Sequence, residues 1–311
     1  MEKKSNVKWV IIAVVLVILL FFAFIFAGIV ALFFGLSEAE RIGTGNVALI
    51  HINGLILTEG GGGFFDEDVV SSTKIKLDIE DADADPTIKA IIFEINSPGG
   101  SAVASEEIAN AIKKVDKTTV ALIRETGASG GYWVASATDY IIANRMSVTG
   151  SIGVIASYLD FSGLIKDYNV TYERLVSGKY KDMGVPFREL TPTERILFQK
   201  KLDLIHEYFI EEVAKNRGLT NEQVNDLATG IFYLGSEAKE LGLVDELGGE
   251  EEAIAYLEKE LNITVEIVEY VEKPSFFDIL AGTLNEKSFF VGKGIGSALT
   301  EKKANKLEVW A

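Results

Sequence analysis

Between residues 74 and 144 the chain alternates helix-like hydrophobic spacing with short, mostly apolar runs, and few architectures accommodate that order. A helix beginning near Lys74 ends at Asp85-Pro86. The run Ile88 to Asn96 then has the composition of a strand buried on both faces. Ser101 can cap a helix whose Ile108, Ala111, Ile112 and Val115 share one face. A second strand follows at Thr119 to Arg124, helical character resumes after Ser129, and a third strand covers Tyr140 to Asn144. Repeated strand-helix units with short connections predict an α/β fold around a mainly parallel sheet. A further strand begins at Asn46, and Pro192 opens a long helix running to about Asn216, stopped by Arg217-Gly218.

The N-terminal segment obeys different physics. Glu2, Lys3, Lys4 and Lys8 precede an uncharged run from Trp9 to Leu36. At ~1.5 Å per residue such a helix extends roughly 40 Å, more than the roughly 30 Å hydrocarbon core requires. A cleaved signal peptide is the competing reading, but its apolar part is usually about half as long, and no strong cleavage site follows. One membrane helix over residues 9–36 is therefore expected, with lipid as its partner. Three lysines on the short side place residues 1–8 in the cytoplasm, so the rest of the chain is expected outside it, at the cell membrane.

Composition removes several kinds of chemistry. The chain has 311 residues, a formal net charge of -16, two histidines and no cysteine. Nucleic acid is not expected as a partner, because phosphate binding needs a basic face. Disulfides, thiolate catalysis and cysteine-based metal sites are absent with the cysteines, and two isolated histidines do not suggest zinc. His51 falls in an apolar strand-like run and His206 in the long helix, neither near a motif. No metal or cofactor is expected.

Four motifs remain. Asn96-Ser97-Pro98-Gly99-Gly100 precedes a helix, so it is either a tight turn or a place where backbone N–H groups point at an anion. Ala128-Ser129-Gly130-Gly131-Tyr132-Trp133 follows a strand, so Ser129 is either a helix cap or a nucleophile with the Gly130 N–H beside it. Residues 127–131 match the G-x-S-x-G string, although the histidine that such elbows use is missing downstream except for His206. Thr149-Gly150-Ser151-Ile152-Gly153-Val154 is the third motif. The fourth, Ser177-Gly178-Lys179-Tyr180-Lys181-Asp182, supplies two lysines, either of which is solvated or, if desolvated enough to be neutral near pH 7, a general base. The glycines at 60–63 read as a loop without a phosphate-binding helix after it. Asn169-Val170-Thr171 and Asn262-Ile263-Thr264 match the glycosylation triplet, a pattern frequent by chance.

In this order, and with Gly242-Leu243-Val244-Asp245 before Gly248-Gly249, the motifs resemble the signal peptide peptidase A family from about Val47 to Glu251. The resemblance implies a ClpP/crotonase-like α/β fold and a membrane-bound serine protease with a Ser/Lys dyad. It implies Ser129 as nucleophile, Lys181 as general base, Ser151 holding the lysine amine, and an oxyanion hole from Gly130 with Gly99 or Gly100. Lys179 is the decoy that spacing alone does not exclude. Arg145 stands where the family often has a proline.

The implied domains are a linker over 37–45, a protease domain over 46–250, and a C-terminal extension over 251–311 for packing or assembly. Because the chain carries one copy of the domain, the resemblance also implies a homo-oligomeric ring with sites at subunit boundaries. Expected substrates are cleaved signal peptides and other hydrophobic fragments. The alternatives are cleavage of a specific integral membrane partner, a non-catalytic membrane-tethered scaffold, and a crotonase-type acyl-CoA enzyme.

Overall fold

The computed structural model describes residues 15–26, 40–42, 44–59 and 69–271. Residues 15–26 form helix α1, apolar at every position and exposed on all sides. They are the described part of the expected 9–36 span. Among the described residues no helix is long and apolar enough to cross a membrane. Strand β1 (Glu40–Ile42) follows.

The compact unit runs from Ile42 to Tyr270. Its sheet has the order β11 (Ile267–Val271), β2 (Val47–Asn53), β5 (Ala90–Ser97), β6 (Thr118–Ala128), β7 (Tyr140–Ala143), β10 (Glu246–Leu247), every pair parallel. This is the mixed α/β fold with a mainly parallel sheet that the alternation predicts. Apolar residues on both faces of each central strand explain it, since helices must cover both sides. Ala48, Ile50, Ile52, Phe93 and Ile95 face a thick layer of α2 (Ser72–Ala84), α3 (Ala102–Ile112), α4 (Gly130–Ser136) and α6 (Pro192–Arg217). Val47, Leu49, Ala90, Ile92 and Leu122 face Ala253 and Leu257 of α9 (Glu250–Leu261).

Helix α9 and strand β11 thus cover one face and extend one side of the sheet, so the expected domain end at residue 250 falls inside the compact unit. A single covering helix needs only a narrow apolar stripe, so the sequence does not mark it as part of the domain. The remainder of the expected extension, with Phe276, Phe277, Phe289 and Phe290, lies outside the described residues, as do the glycines at 60–63.

Helix ends follow local chemistry. Ser101 accepts from Ala104 N and caps α3. Thr191 and Glu194 form a reciprocal capping box around Pro192 at the start of α6, which ends at Gly218 with φ 64°. The motif at residues 242–245 is structural. Asp245 receives both terminal nitrogens of Arg217, at 2.6 and 2.9 Å, and the Ile141 amide at 2.8 Å. The buried Tyr132 hydroxyl donates to Leu243 O at 2.9 Å, tying α4 to the same segment.

Four shorter strands complete the surroundings of the motifs. Strand β3 (Leu55–Leu57) pairs with β4 (Val69–Ser71), and Ile56 bridges to Gly100. Strand β8 (Val148–Gly150) lies between β6 and β9 (Phe232–Leu234).

Candidate active site

The site begins with an irregularity in the sheet. Between Ile95↔Ile123 and Ser97↔Gly127, β5 advances two residues while β6 advances four. Over the same stretch β6 exchanges partners, leaving β7 after Ile123 and joining β8 from Thr126. Sequence periodicity ends this strand near Arg124, whereas it runs on to Ala128. The continuation has no apolar run to advertise it, because its register comes from β8. Asn96 fills the gap by accepting from Thr126 N at 3.2 Å.

Ser129 lies where this strand becomes α4. Its φ of 52° and ψ of -122° are strained for a residue with a side chain. The surroundings impose that geometry, since Ser129 N donates to Gly150 O at 2.8 Å and Ser129 O accepts from Trp133 N at 2.9 Å. The cap alternative is thereby resolved. Ser129 occupies the cap position of α4, yet its hydroxyl caps no amide, and the side chain is half-buried at the surface.

The glycine motif comes directly against this turn. Gly99 has φ +101°, and a methyl group on it would lie 2.6 Å from Gly130 N and 2.9 Å from the Ser129 Cβ. One on Gly130 would strike the Ser105 hydroxyl and approach Gly100 N at 3.2 Å. Gly99 N is already used, donating to Ser97 Oγ at 3.1 Å. The bridge to Ile56 employs Gly99 O and Ser101 N. The amides of Gly100 and Gly130 have no partner among the described residues, so two unpaired N–H donors lie at the turn that carries Ser129. Such a pair can stabilise an oxygen that becomes negative.

Behind them is a support that the motif strings conceal. Ser97, wholly buried, donates to Gly54 O at 2.6 Å and so fixes the turn that presents Gly99 and Gly100. Thr149, also buried, donates to Gly127 O at 2.8 Å and locks β8 to the strand carrying Ser129. Small hydroxyl residues between strands have no periodic signature, and only the fold pairs them.

Ser151, Lys179 and Lys181 are placed differently. Ser151, with φ 51°, donates through Oγ to Gly230 O at 3.1 Å, while its amide donates to Ile231 O at 3.0 Å. Its hydroxyl therefore holds the loop before β9. Lys179 and Lys181 are exposed on a turn at residues 177–184. Lys181 N donates to Gly178 O at 3.1 Å, and the Lys179 ammonium lies 5.0 Å from the centre of the Tyr180 ring. Among the described residues no hydrogen bond joins Lys181 to Ser129 or Ser151. One chain thus brings Ser129, Gly99, Gly100 and Gly130 together and leaves Lys181 in solvent.

The two histidines stay apart from this chemistry. His51 pairs with Glu94 at 3.2 Å on β5, and Glu94 also takes Arg124. His206 lies within α6. No group of carboxylates, histidines or cysteines among the described residues is arranged to hold a metal.

Comparison with known proteins accords with the geometry. The model of peptidase family S49 matches residues 111–264, a stretch that includes Ser129, Ser151 and Lys181. A provisionally named protease of Methanocaldococcus jannaschii is 36% identical over 226 residues, covering 71% of either chain. A provisionally named signal peptide peptidase SppA of Enterococcus faecium is 32% identical over 253 residues, 78% of this chain and 74% of that one. Protease 4 of Haemophilus influenzae is 34% identical over 219 residues, and the match spans 70% of this chain but 35% of that longer protein. With this likeness, and with a strained serine beside two open backbone amides, the chain belongs to peptidase family S49, the signal peptide peptidase A family of serine proteases.

Proposed function

We propose that the chain is a membrane-anchored endopeptidase that degrades cleaved signal peptides and other hydrophobic membrane-derived fragments through a Ser129/Lys181 dyad. The observation that carries the reading is the Ser129 turn, where a half-buried hydroxyl that caps nothing sits beside the unpaired amides of Gly100 and Gly130. Neutral Lys181 takes the Ser129 proton, the alkoxide attacks the peptide carbonyl, and the two amides hold the resulting oxyanion. Lys181 then gives its proton to the leaving amine, and a water activated by the same lysine releases the acyl-enzyme.

A lysine surrounded by water is a poor base, because hydration favours its charged ammonium form. Residues 151–191 supply an account of how it becomes a good one. This arm exposes Ile155, Leu159, Tyr168 and Leu175, the last at 96%. Apolar side chains exposed to that extent on one arm mark a contact surface. Packing against a second copy would bury the arm and desolvate Lys181, so a homo-oligomeric ring completes each site at a subunit boundary, with Ser151 orienting the amine. The apolar run at 9–36 anchors the ring in the membrane, with the N-terminus cytoplasmic and the protease domain outside.

The test is cleavage of a quenched-fluorescent peptide with an apolar core by the full chain in detergent. Ser129→Ala and Lys181→Ala should each lower kcat by about 10⁴-fold or more, and Lys179→Ala should leave it within a few-fold. A Lys181→Ala variant as active as wild type removes the dyad and leaves the base to be found elsewhere.

A further inference from the structure

The turn that carries Lys181 is held by a chain of alternating charges that the dyad reading leaves without a role. Asp182 receives Arg174 through Nε at 2.6 Å and Nη2 at 2.8 Å. It also receives Arg188 through Nε at 2.9 Å and Nη2 at 3.0 Å. Arg188 in turn reaches both oxygens of Glu194, at 2.7 and 2.9 Å. Glu194 is nearly inaccessible, and one of its oxygens accepts from the amide and the hydroxyl of Thr191 at the start of α6. Arg174 and Arg188 also bond backbone oxygens of the turn, at Lys179 and Asp182. Arg174 and Arg188 hold the Asp182 carboxyl well below the usual carboxylate range.

Most surface ion pairs contribute little, because two long side chains must be ordered for a screened attraction. This network differs in geometry. Two planar guanidinium forks grip one carboxylate, which adds direction as well as charge. A residue whose backbone leaves such a clamp is fixed at one end, so the adjacent side chain starts from a defined position.

We propose that Asp182 is a positioning residue for Lys181: the Arg174–Asp182–Arg188–Glu194 network fixes the Lys181 turn to the start of α6 and sets the charge around its amine. The proposal rests on Lys181 being the general base. Besides the network, the charged and titratable groups on the same turn are Lys179 and Tyr180. The four members carry two positive and two negative charges, so each single loss has a sign. Removing the Asp182 charge leaves excess positive charge beside Lys181 and favours its neutral form. Removing an arginine does the reverse.

The experiment measures kcat and KM against pH for the full chain in detergent, with thermal unfolding alongside, for Asp182→Asn, Arg188→Gln, Arg174→Gln and Lys181→Ala. Asp182→Asn should lower kcat by about 10- to 100-fold with KM within a few-fold, since misplacement by about 1 Å costs that much. Its acid limb should move to lower pH, and those of Arg188→Gln and Arg174→Gln to higher pH. Arg188→Lys keeps the charge but loses the fork, so it should keep the wild-type limb and recover only part of kcat. Arg174 is partly exposed, so its variant still reads the charge effect if Asp182→Asn does not fold. Unmoved limbs in the variants that fold, with Lys181→Ala inactive, overturn the positioning role and leave the dyad standing. Full activity in Lys181→Ala overturns the dyad and this inference with it.

Discussion

The Ser129 turn and the Lys181 arm are built by opposite means. Around Ser129, backbone packs on backbone: Gly99 lies against Gly130, Gly150 O holds the Ser129 amide, and buried Ser97 and Thr149 tie the turns to neighbouring carbonyls. Around Lys181, side chains do the holding, through guanidinium forks on Asp182 and Glu194, and large apolar groups remain in solvent. The first region is built within one chain, and under the proposed function the second is the one that a neighbouring copy would complete. Preorganised amides and a strained serine demand rigidity before substrate arrives, whereas a lysine proposed as a base could gain the apolar wall it needs from a neighbouring copy.

The sharpest way to break this contrast is Gly99→Ala. A methyl group there meets the Gly130 amide at 2.6 Å, and φ of +101° adds strain, so kcat should fall by about 10²- to 10³-fold through displacement of the amide pair. Loss of kcat should exceed any rise in KM, and wild-type kinetics in this variant would mean that the close approach has no catalytic consequence.

Next in size is the double substitution Ile155→Glu, Leu175→Glu on the arm. Both side chains are almost fully exposed, so the isolated fold should keep its melting temperature. Activity should fall by ~10-fold or more at low protein concentration and recover partly as concentration rises, by mass action on assembly. Sedimentation velocity reads the same equilibrium directly. Unchanged assembly and activity would place the completing contact elsewhere.

A smaller effect is expected from Thr149→Val, which leaves Gly127 O without its buried donor. The cost should be about 1–2 kcal/mol, a drop of roughly 2–8 °C in melting temperature for a domain of this size. The damage should register as stability first and activity second, unlike Gly99→Ala.

The smallest effect is acid loosening of the arm. Arg188 beside Glu194 pulls that carboxyl down to about 2, and Asp182 lies lower still. Folded-state values below the unfolded value of about 4 mean that the network's contribution is complete above pH ~4 and is lost as pH falls through about 2. Amide exchange at residues 178–190, corrected for intrinsic rates, should accelerate across that window and not between pH 7 and 5. Loosening near neutral pH would show that the carboxylates are not what holds the turn.

Much of this was legible in the chain. Mostly apolar runs at Ile88 to Asn96 and Tyr140 to Asn144 set parallel strands, and Ser101, Pro192 and Gly218 set helix ends, because burial on two faces and unpaired terminal amides are local demands. The family was also legible, in four short strings taken in order. Tertiary structure alone decided the rest. The partner exchange of β6, the preference for the Gly100 amide over Gly99, the engagement of Ser151 with Gly230 O and the grip of two arginines on Asp182 all join residues from separate elements. Hydrophobic period states which face of an element is buried. It does not state which unpaired carbonyl or amide waits on the other side, and at this site those polar groups determine what Ser129 can do.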